Sequence, residues 1–317
     1  MNPRIEYIDA AKGLCILLVV AMHLGVPEIF PGAYNMMVPC FFFLSGFFYS
    51  TKGGFNYIIR KRAKTLLIPF LFWYLLSYTI FYIGKFIYPN ISSMTDATGI
   101  LDCFTQKGYF NGPLWFLPCL FFINLIAYPI LRYINNLLTR LFLVFLVGAL
   151  GFLLYVYETP LPLAIDTALT ATPFFILGHL AKRWALFERI KAPYSIFVSI
   201  ILYCIYIIHP YGVWMAGNKY QGLDFIGLYT IIGSLSLSII ILLKELTFLG
   251  GGLSYFGRNS LVILCTHHLL YRPIRLILLH FHSIQAIEPY INLILTLCLC
   301  ALLSKFFERH MRWAFGK

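Results

Sequence analysis

Lys12 and His23 are two ionisable residues within the first long apolar segment of the chain, and they are eleven positions apart. At about 3.6 residues per turn, this spacing predicts that both lie on one face of a helix, roughly 16 Å apart along its axis. Asp9 precedes Lys12 by about one turn. Ionisable groups inside a membrane-spanning helix are costly, and they commonly mark function. The alternative is that Lys12 extends to the membrane interface and His23 only packs.

An imidazole within a membrane, with cations at one end of its helix, suits group transfer from a phosphate-bearing donor. His23 is then either the general base for an acceptor hydroxyl or the nucleophile that carries an acyl group. The densest basic cluster, RKRAK at Arg60–Lys64, leads into the third apolar segment, and its guanidinium groups suit phosphate. The alternative for this cluster is that it sets membrane topology or contacts anionic lipid.

The composition is that of a protein embedded in membrane lipid. The chain has 317 residues, of which 60% are hydrophobic and 11% are charged, and its mean hydropathy is +0.81. A soluble domain carries about a quarter charged residues. The net charge of +12 does not indicate nucleic-acid binding, because the basic residues are distributed between apolar segments. The eight cysteines show no C-x-x-C spacing, so we expect buried apolar residues rather than disulfides.

Ten apolar segments are long enough to be candidate membrane spans. They lie at about Ile8–Leu24, Gly32–Ser50, Leu66–Tyr88, Pro113–Leu131, Leu141–Tyr157, Pro162–Leu180, Pro193–His209, Leu223–Leu243, Ser260–His280 and Ile287–Phe307. Turn-forming residues, including the three glycines at 250–252, fall between them. The sequence therefore predicts an all-α polytopic membrane protein, a bundle of about ten helices. We expect one domain over residues 1–317, with no separate soluble domain and no cleavable signal peptide.

Basic residues are unequally divided between the two sides that ten spans would create. Nineteen of the 24 Lys and Arg residues fall on the side of the termini, and five fall on the other side. Because cytoplasmic loops carry the excess of positive charge, both termini are predicted to be cytoplasmic. Lys12 then lies at the cytoplasmic end of the first helix, and His23 lies in its outer half.

Several polar residues interrupt the outer ends of the apolar segments. Asn111 and Trp115, in FNGPLWFLP, precede or begin the fourth span and are candidate acceptor-binding residues. Trp115 is either an interfacial anchor or part of the wall around a sugar or lipid-linked acceptor. Asp166 begins the sixth span, where we expect it to be solvated or to orient an imidazole. The small pair Ser45-Gly46 is expected to allow close helix packing.

His267 and His268 lie on the ninth span, and His267 is a further candidate for the acceptor site. Because consecutive helical residues point in different directions, at most one of the two is expected to share a site with His23. We predict no metal, since no HExxH motif, carboxylate cluster or Cys/His ligand spacing appears. No Gly-rich phosphate loop or dinucleotide fingerprint appears either.

The order and spacing of several motifs resemble those of the acyltransferase-3 family of integral membrane O-acyltransferases. The motifs are D-x-x-K-G…H at Asp9, Lys12, Gly13 and His23, FFFLSGFF around Ser45-Gly46, the basic run before LLIP at Arg60–Pro69, LWFL at Leu114–Leu117, FFILGHL around Gly178, and G-x-x-S-L…H at Gly257, Ser260 and His267. The resemblance covers essentially the whole chain, in the branch that modifies bacterial surface polysaccharides.

This resemblance implies a reaction and its partners. The donor would be cytoplasmic acyl-CoA, commonly acetyl-CoA, as a co-substrate, with no permanently bound cofactor. The acceptor would be a hydroxyl of an extracytoplasmic or lipid-linked glycan, next to membrane lipids in the bacterial inner (plasma) membrane.

The resemblance also implies site residues, with two departures from the family pattern. His23 matches the catalytic histidine, and Lys12 replaces the Arg eleven positions before it. Thr65 falls where a second basic residue is expected in the third helix. We expect the donor phosphates near Arg60, Arg62 and Lys64.

Two other function classes fit ten spans with polar interior groups. A transporter or flippase would not need to bind acyl-CoA, and the chain shows no inverted repeat. In a scaffold, replacing His23 would lower stability without removing a reaction. Affinity for acyl-CoA separates the first of these from the acyltransferase.

Overall fold

The structure, a computed structural model, describes residues 5–87, 99–105, 110–209, 212–222, 225–246, 248 and 250–316. Arg4, Lys107 and Lys317, three of the residues used to predict orientation, lie outside this part of the chain, and so do Pro89 and Asn90, which are turn-forming residues between the third and fourth predicted spans.

Within the described residues, eight helical segments are long and apolar enough to cross a membrane. They are Glu6–Leu24, Phe55–Lys85, Gly112–Tyr133, Leu137–Val156, Pro162–Arg183, Phe225–Glu245, Ser260–Leu278 and Gln285–His310. Each overlaps one of the predicted spans, although Phe55–Lys85 begins before the predicted Leu66 and contains the basic cluster at Arg60–Lys64. The all-α polytopic membrane fold is therefore confirmed, whereas the orientation of the termini stays a prediction.

The second and seventh predicted spans are shorter apolar helices, Ala33–Phe47 and Ala192–Ile208. The 15 residues of the first extend roughly 22 Å at about 1.5 Å per residue. The hydrocarbon layer of a bilayer is about 30 Å thick, so this helix alone is too short to cross it without local thinning. It is largely buried among its neighbours instead.

The regular elements are numbered in chain order. The helices are α1 (Glu6–Leu24), α2 (Ala33–Phe47), α3 (Phe55–Arg62), α4 (Ile68–Ile87), α5 (Asp102–Thr105), α6 (Phe116–Tyr133), α7 (Leu137–Val156), α8 (Ile165–Arg183), α9 (Leu186–Arg189), α10 (Ala192–Ile208), α11 (Phe225–Gly227), α12 (Gly233–Glu245), α13 (Gly250–Arg258), α14 (Ser260–Leu278) and α15 (Glu288–His310). Segments with π-helical bonding are Ala63–Leu67 and Leu228–Ile232, and 3-10 turns are Gly112–Trp115, Pro162–Ala164, Met215–Gly217, His282–Ile287 and Arg312–Phe315.

A short antiparallel hairpin follows α10 and was not predicted from the sequence. Its strands are β1 (Gly212–Trp214) and β2 (Lys219–Gln221), and Val213 pairs with Tyr220. Asn218 enters β2 with a left-handed φ of 48°, a conformation that Asn adopts more readily than most residues.

Helix α1 is the central helix, with α2, α12, α13, α14 and α15 packed around it. The prediction of a turn at the three glycines was wrong, because Gly250 begins α13, which lies along α1. The two backbones approach closely at a pair of glycines. A Cβ at Gly13 would overlap the carbonyl of Leu253, and a Cβ at Gly257 would overlap the carbonyl of Asp9. Small residues in membrane helices permit this approach.

A second close approach joins α2 to α8. A Cβ at Gly46 would overlap the carbonyl of Phe175, and a Cβ at Gly178 would overlap the carbonyl of Phe43. The packing role predicted for the Ser45-Gly46 pair is thus confirmed. The contact fixes the end of α2, where Phe48 and Tyr49 follow.

Candidate active site

The predicted polar face of α1 borders a cavity of about 550 Å³. Lys12, Ile16, Val19 and His23 all line it, so the face predicted from helical spacing exists and is open. The cavity has the size of a typical small-molecule site, and most of its wall is apolar. It extends from a cation at one end to an imidazole at the other, roughly 16 Å apart along the helix.

Besides Leu66 of the π-helical segment Ala63–Leu67, four other parts of the chain complete the wall. They are α2, residues 113–120 before and within α6, the first strand and turn of the hairpin, and the start of α14. Their lining side chains include Asn35, Phe41, Ser45, Trp115, Phe116, Val213, Trp214, Met215, Ser260 and Leu264.

Three histidines meet at the His23 end of the cavity. The ring of His23 lies 5.5 Å from that of His267 and 4.5 Å from that of His268, between centroids. One ligand nitrogen of each lies within 4.8 Å of the others. The expectation that only one of the pair shares a site with His23 was wrong. The His23 ring reaches both, since rings on adjacent residues of α14 are themselves only 5.2 Å apart.

Backbone contacts assign opposite tautomers to the two buried histidines of α14. His267 Nδ1 lies 2.6 Å from the carbonyl oxygen of Ile263, so Nδ1 is the donor. The N–H of Gly112 donates to His268 Nδ1 at 3.4 Å, so that ring carries its proton on Nε2. In neutral rings, His267 Nε2 is then an acceptor and His268 Nε2 a donor. Both Nε2 atoms are buried and have no partner among the described residues.

The same three rings are the group within the described residues that could hold a metal ion. Three imidazole ligands with one open position are typical of catalytic zinc. However, a histidine that binds a metal through Nε2 normally carries a proton on Nδ1 and donates it to a neighbouring group. In His268, Nδ1 instead accepts from the Gly112 N–H. This contact opposes ligation through His268 Nε2, and the absence of a metal stays a prediction.

Three cations surround the residues that follow α2, at the Lys12 end of the cavity. Lys12 Nζ lies 4.4 Å and Lys182 Nζ 5.2 Å from the centroid of the Phe48 ring. Arg62 lies 5.6 Å from the ring of Tyr49. Sequence reasoning did not single out Lys182. The signal in the sequence was a basic residue two positions after FFILGHL, on the same predicted side as Lys12.

The predicted donor-binding residues are not equivalent in the structure. Arg60 and Lys64 are exposed, whereas Arg62 is half-buried and its Nε has no partner among the described residues. The hydroxyl of Thr65 donates to the carbonyl of Lys61 at 3.0 Å, within its own helix. Of this predicted set, only Arg62 contacts a ring of the residues that follow α2, that of Tyr49, among the described contacts. Asp9 is half-buried and forms no ion pair among the described contacts.

The predicted acceptor residues take different places. Trp115 lines the cavity, whereas Asn111, Asp166 and His267 do not. Asn111 is fully buried, and its amide donates to the carbonyl oxygen of Cys265 at 2.7 Å. It therefore ties the segment before α6 to the histidine-bearing helix α14.

The expectation that Asp166 is solvated was wrong, since its residue is only 4% exposed. The hairpin covers the start of α8. The hydroxyl of Thr167 donates to the carbonyl of Met215 at 2.9 Å, and that of Thr170 donates to Asn218 Oδ1 at 3.0 Å.

The hairpin also brings an aromatic side chain to the cavity that sequence reasoning missed. Trp214 lines the cavity and is 66% exposed. The amide of Val213 donates to Asn35 Oδ1 at 3.1 Å, which ties the strand to α2. The signal in the sequence was an aromatic residue in a Gly- and Asn-containing loop, GVWMAGNKYQG.

Comparison with known proteins places the chain in a family. Residues 5–305 match the acyltransferase domain of the acyltransferase-3 family. Over 195 residues the chain is 30% identical to the nodulation protein NolL of Mesorhizobium japonicum, a match that covers 56% of this chain and 48% of that protein. The aligned part of the chain thus spans about half the length of this relative. No solved structure matches the chain. Because the family match covers nearly the whole length, this protein belongs to the acyltransferase-3 family.

Proposed function

We propose that the protein moves an acyl group, and first of all acetyl, from acyl-CoA to a hydroxyl of a glycan or lipid-linked sugar. The observation that carries the proposal is that Lys12 and His23 open into one cavity. A phosphate-bearing donor can enter at the cationic end while its reacting end reaches the imidazole. The roughly 16 Å between the two residues is comparable to the length of a pantetheine arm.

The donor phosphates belong next to the cations around Phe48 and Tyr49. The half-buried Lys12 and Arg62 and the exposed Lys182 supply the contacts at these rings, and the exposed Arg60 and Lys64 lie nearby on the chain. Lysine offers a point charge rather than the two-pronged contact of arginine. Arg62 alone among the three residues at these rings offers a two-pronged contact with a phosphate.

His23 is proposed as the general base. The acceptor oxygen attacks the thioester carbonyl carbon while a ring nitrogen of His23 takes the hydroxyl proton. A C–O bond forms, the C–S bond breaks, and His23 returns the proton to the leaving sulfur. The products are the ester and free CoA, and the imidazole is again neutral. A covalent route, in which His23 first carries the acyl group, uses the same partners.

The acceptor is proposed to enter between Trp115 and Trp214, which line the cavity beside His23. Their flat rings suit the C–H faces of a sugar, since aromatic side chains offer large apolar surfaces. Asn111 acts on the acceptor only through the wall that it stabilises, by its bond to the Cys265 carbonyl. The reaction is proposed to take place in a bacterial inner membrane, from a cytoplasmic donor to an outer acceptor.

The experiment compares wild type, His23→Ala and His280→Ala with radiolabelled acetyl-CoA, at matched folding in detergent. His280 is an exposed histidine after α14 and is the control. We expect wild type and His280→Ala to bind and turn over acetyl-CoA, and His23→Ala to bind it with turnover lowered by about 10²- to 10⁴-fold. If wild type recognises neither acetyl-CoA nor longer acyl-CoAs, the donor assignment fails and a carrier becomes the better explanation.

A further inference from the structure

We propose that His267 is the positioning residue for His23. In this arrangement the inward nitrogen of His23 donates its proton to His267 Nε2. The other nitrogen of His23 then faces the cavity with a free lone pair, as a general base requires. The inference rests on the proposed function and assigns a role to a histidine that touches no part of the cavity.

His267 can accept a hydrogen bond from a neighbouring side chain, but it does not contact the cavity in which a substrate would bind. Its residue is fully buried, and it is not part of the cavity wall. Since Nδ1 donates to the Ile263 carbonyl at 2.6 Å, the neutral ring has only an acceptor left, and that atom has no partner among the described residues. An unmade hydrogen bond of a buried acceptor costs about 1–3 kcal/mol, so a donor is expected there.

Two donors lie within reach of His267 Nε2, the His23 ring and the Nε2–H of His268. The His268 ring is buried and held at Nδ1 by the Gly112 N–H, whereas the His23 ring is half-buried and can turn toward His267, so His23 is assigned as the donor. The His23 and His267 rings are tilted by 42° at a centroid distance of 5.5 Å, and their ligand nitrogens lie within 4.8 Å. A small rotation of the half-buried His23 ring closes this gap, and catalytic hydrogen bonds commonly tighten only when a substrate is bound.

His268 would select the opposite tautomer of His23. Its Nε2–H is a donor, so it can pair only with a lone pair on the inward nitrogen of His23. The cavity-facing nitrogen of His23 would then carry the proton and could not act as a base. The two rings meet nearly edge to face, at 89° and 4.5 Å. We therefore assign to His268 the packing of the His23 ring, and to His267 the choice of tautomer.

The hydrogen bonds that run from His23 through His267 to the carbonyl of Ile263 also stabilise His23 when its ring is protonated. When His23 takes the hydroxyl proton, its inward N–H donates more strongly to His267 Nε2, and His267 Nδ1 already donates to Ile263. The other charge on α14 near this chain is Arg272, one turn further on, and it donates to the carbonyl of Phe110 at 3.3 Å instead.

The test replaces each histidine of α14 in two ways. His267→Phe keeps a ring and removes the acceptor, whereas His267→Gln keeps an oxygen near the position of Nε2. His268→Phe and His268→Gln are the matched pair. We expect His267→Phe to lower kcat for acetyl-CoA hydrolysis by about 10²- to 10³-fold with KM within about 2-fold, and His267→Gln to recover at least about 10-fold of this loss. His268→Phe should cost less than about 10-fold.

A second measurement does not depend on activity. Nitrogen-15 spectra of histidine-labelled protein in nanodiscs report which nitrogen of each ring carries the proton. We expect one His23 tautomer in wild type and in His267→Gln, and a mixture or the other tautomer in His267→Phe. An unchanged His23 tautomer in a folded His267→Phe, or a larger loss of kcat in His268→Phe, overturns the inference. If His23→Ala hydrolyses acetyl-CoA like wild type, the proposed function itself fails.

Discussion

The ammonium group of Lys12 lies 4.4 Å from the centroid of the Phe48 ring, and Lys182 reaches the same ring at 5.2 Å. Neither lysine forms an ion pair among the described residues. The ring lies just past the end of α2, so one aromatic side chain gathers a cation from α1 and one from α8. Cations held in this way remain available to an anionic ligand.

Replacing Lys182 is expected to weaken donor binding. Lys182→Ala should raise the KM for acetyl-CoA by at least about 10-fold, because a hydrogen bond to a charged group contributes about 1.5–3 kcal/mol. The same variant should discriminate less between acetyl-CoA and its 3′-dephospho analogue. Lys191→Ala, an exposed lysine in a nearby loop, serves as the control. Equal KM values for all three proteins would remove Lys182 from the donor site.

The contact between α2 and α8 is expected to tolerate no side chain at Gly178. Gly178→Ala should lower the unfolding free energy by about 1–3 kcal/mol, since its Cβ would overlap the Phe43 carbonyl. Gly252→Ala is the opposite case, because no atom lies within 4 Å of a Cβ added there, inside helix α13. That change should be neutral or should stabilise by up to about 1 kcal/mol. Denaturant unfolding in detergent measures both, and equal stability of the two variants would contradict the close approach.

Asn218 is expected to hold the hairpin on the bundle. It is buried, accepts from the Tyr220 hydroxyl at 2.8 Å and from Thr170 at 3.0 Å, and donates to the Gly151 carbonyl at 3.1 Å. Asn218→Ala removes these bonds. It also leaves at a left-handed φ a residue without the short polar side chain that makes this conformation tolerable for Asn.

Hydrogen exchange measures the consequence for the hairpin. The amides of β1 and β2 should exchange at least about 10-fold faster in Asn218→Ala, because losing even one such buried bond costs about 1–3 kcal/mol. Lys219→Ala, with an exposed side chain next in sequence, should leave exchange unchanged. If Asn218→Ala also leaves it unchanged, the hairpin is held by other contacts.

The three-histidine cluster is expected to work without a metal. Because Gly112 donates to His268 Nδ1, that ring keeps its proton on Nε2 and is a poor ligand. Elemental analysis of protein purified without chelator should find far less than one zinc per chain. Acetyl-CoA hydrolysis should survive dialysis against a chelator. One equivalent of zinc that is lost in His268→Gln would instead identify a metal centre.

Local sequence patterns determined the membrane helices and the polar face of α1. Apolar length alone located the segments, because a helix in lipid must satisfy its own backbone hydrogen bonds. The Lys12 and His23 spacing fixed their common face, because about 3.6 residues per turn holds in any helix. The glycine of FFFLSGFF likewise indicated close packing, although not its partner on α8.

Only the tertiary structure decided which groups meet. His267 and His268 both reach His23 because α1 and α14 lie close enough for the His23 ring to contact both. The period of a helix gives the direction of each side chain, but not the distance to another helix. Asp166 is buried because the hairpin covers the start of α8, and Lys182 joins Lys12 because α8 ends beside Phe48. These contacts join residues far apart in the chain, so they depend on how side chains of different helices pack, which no local pattern records.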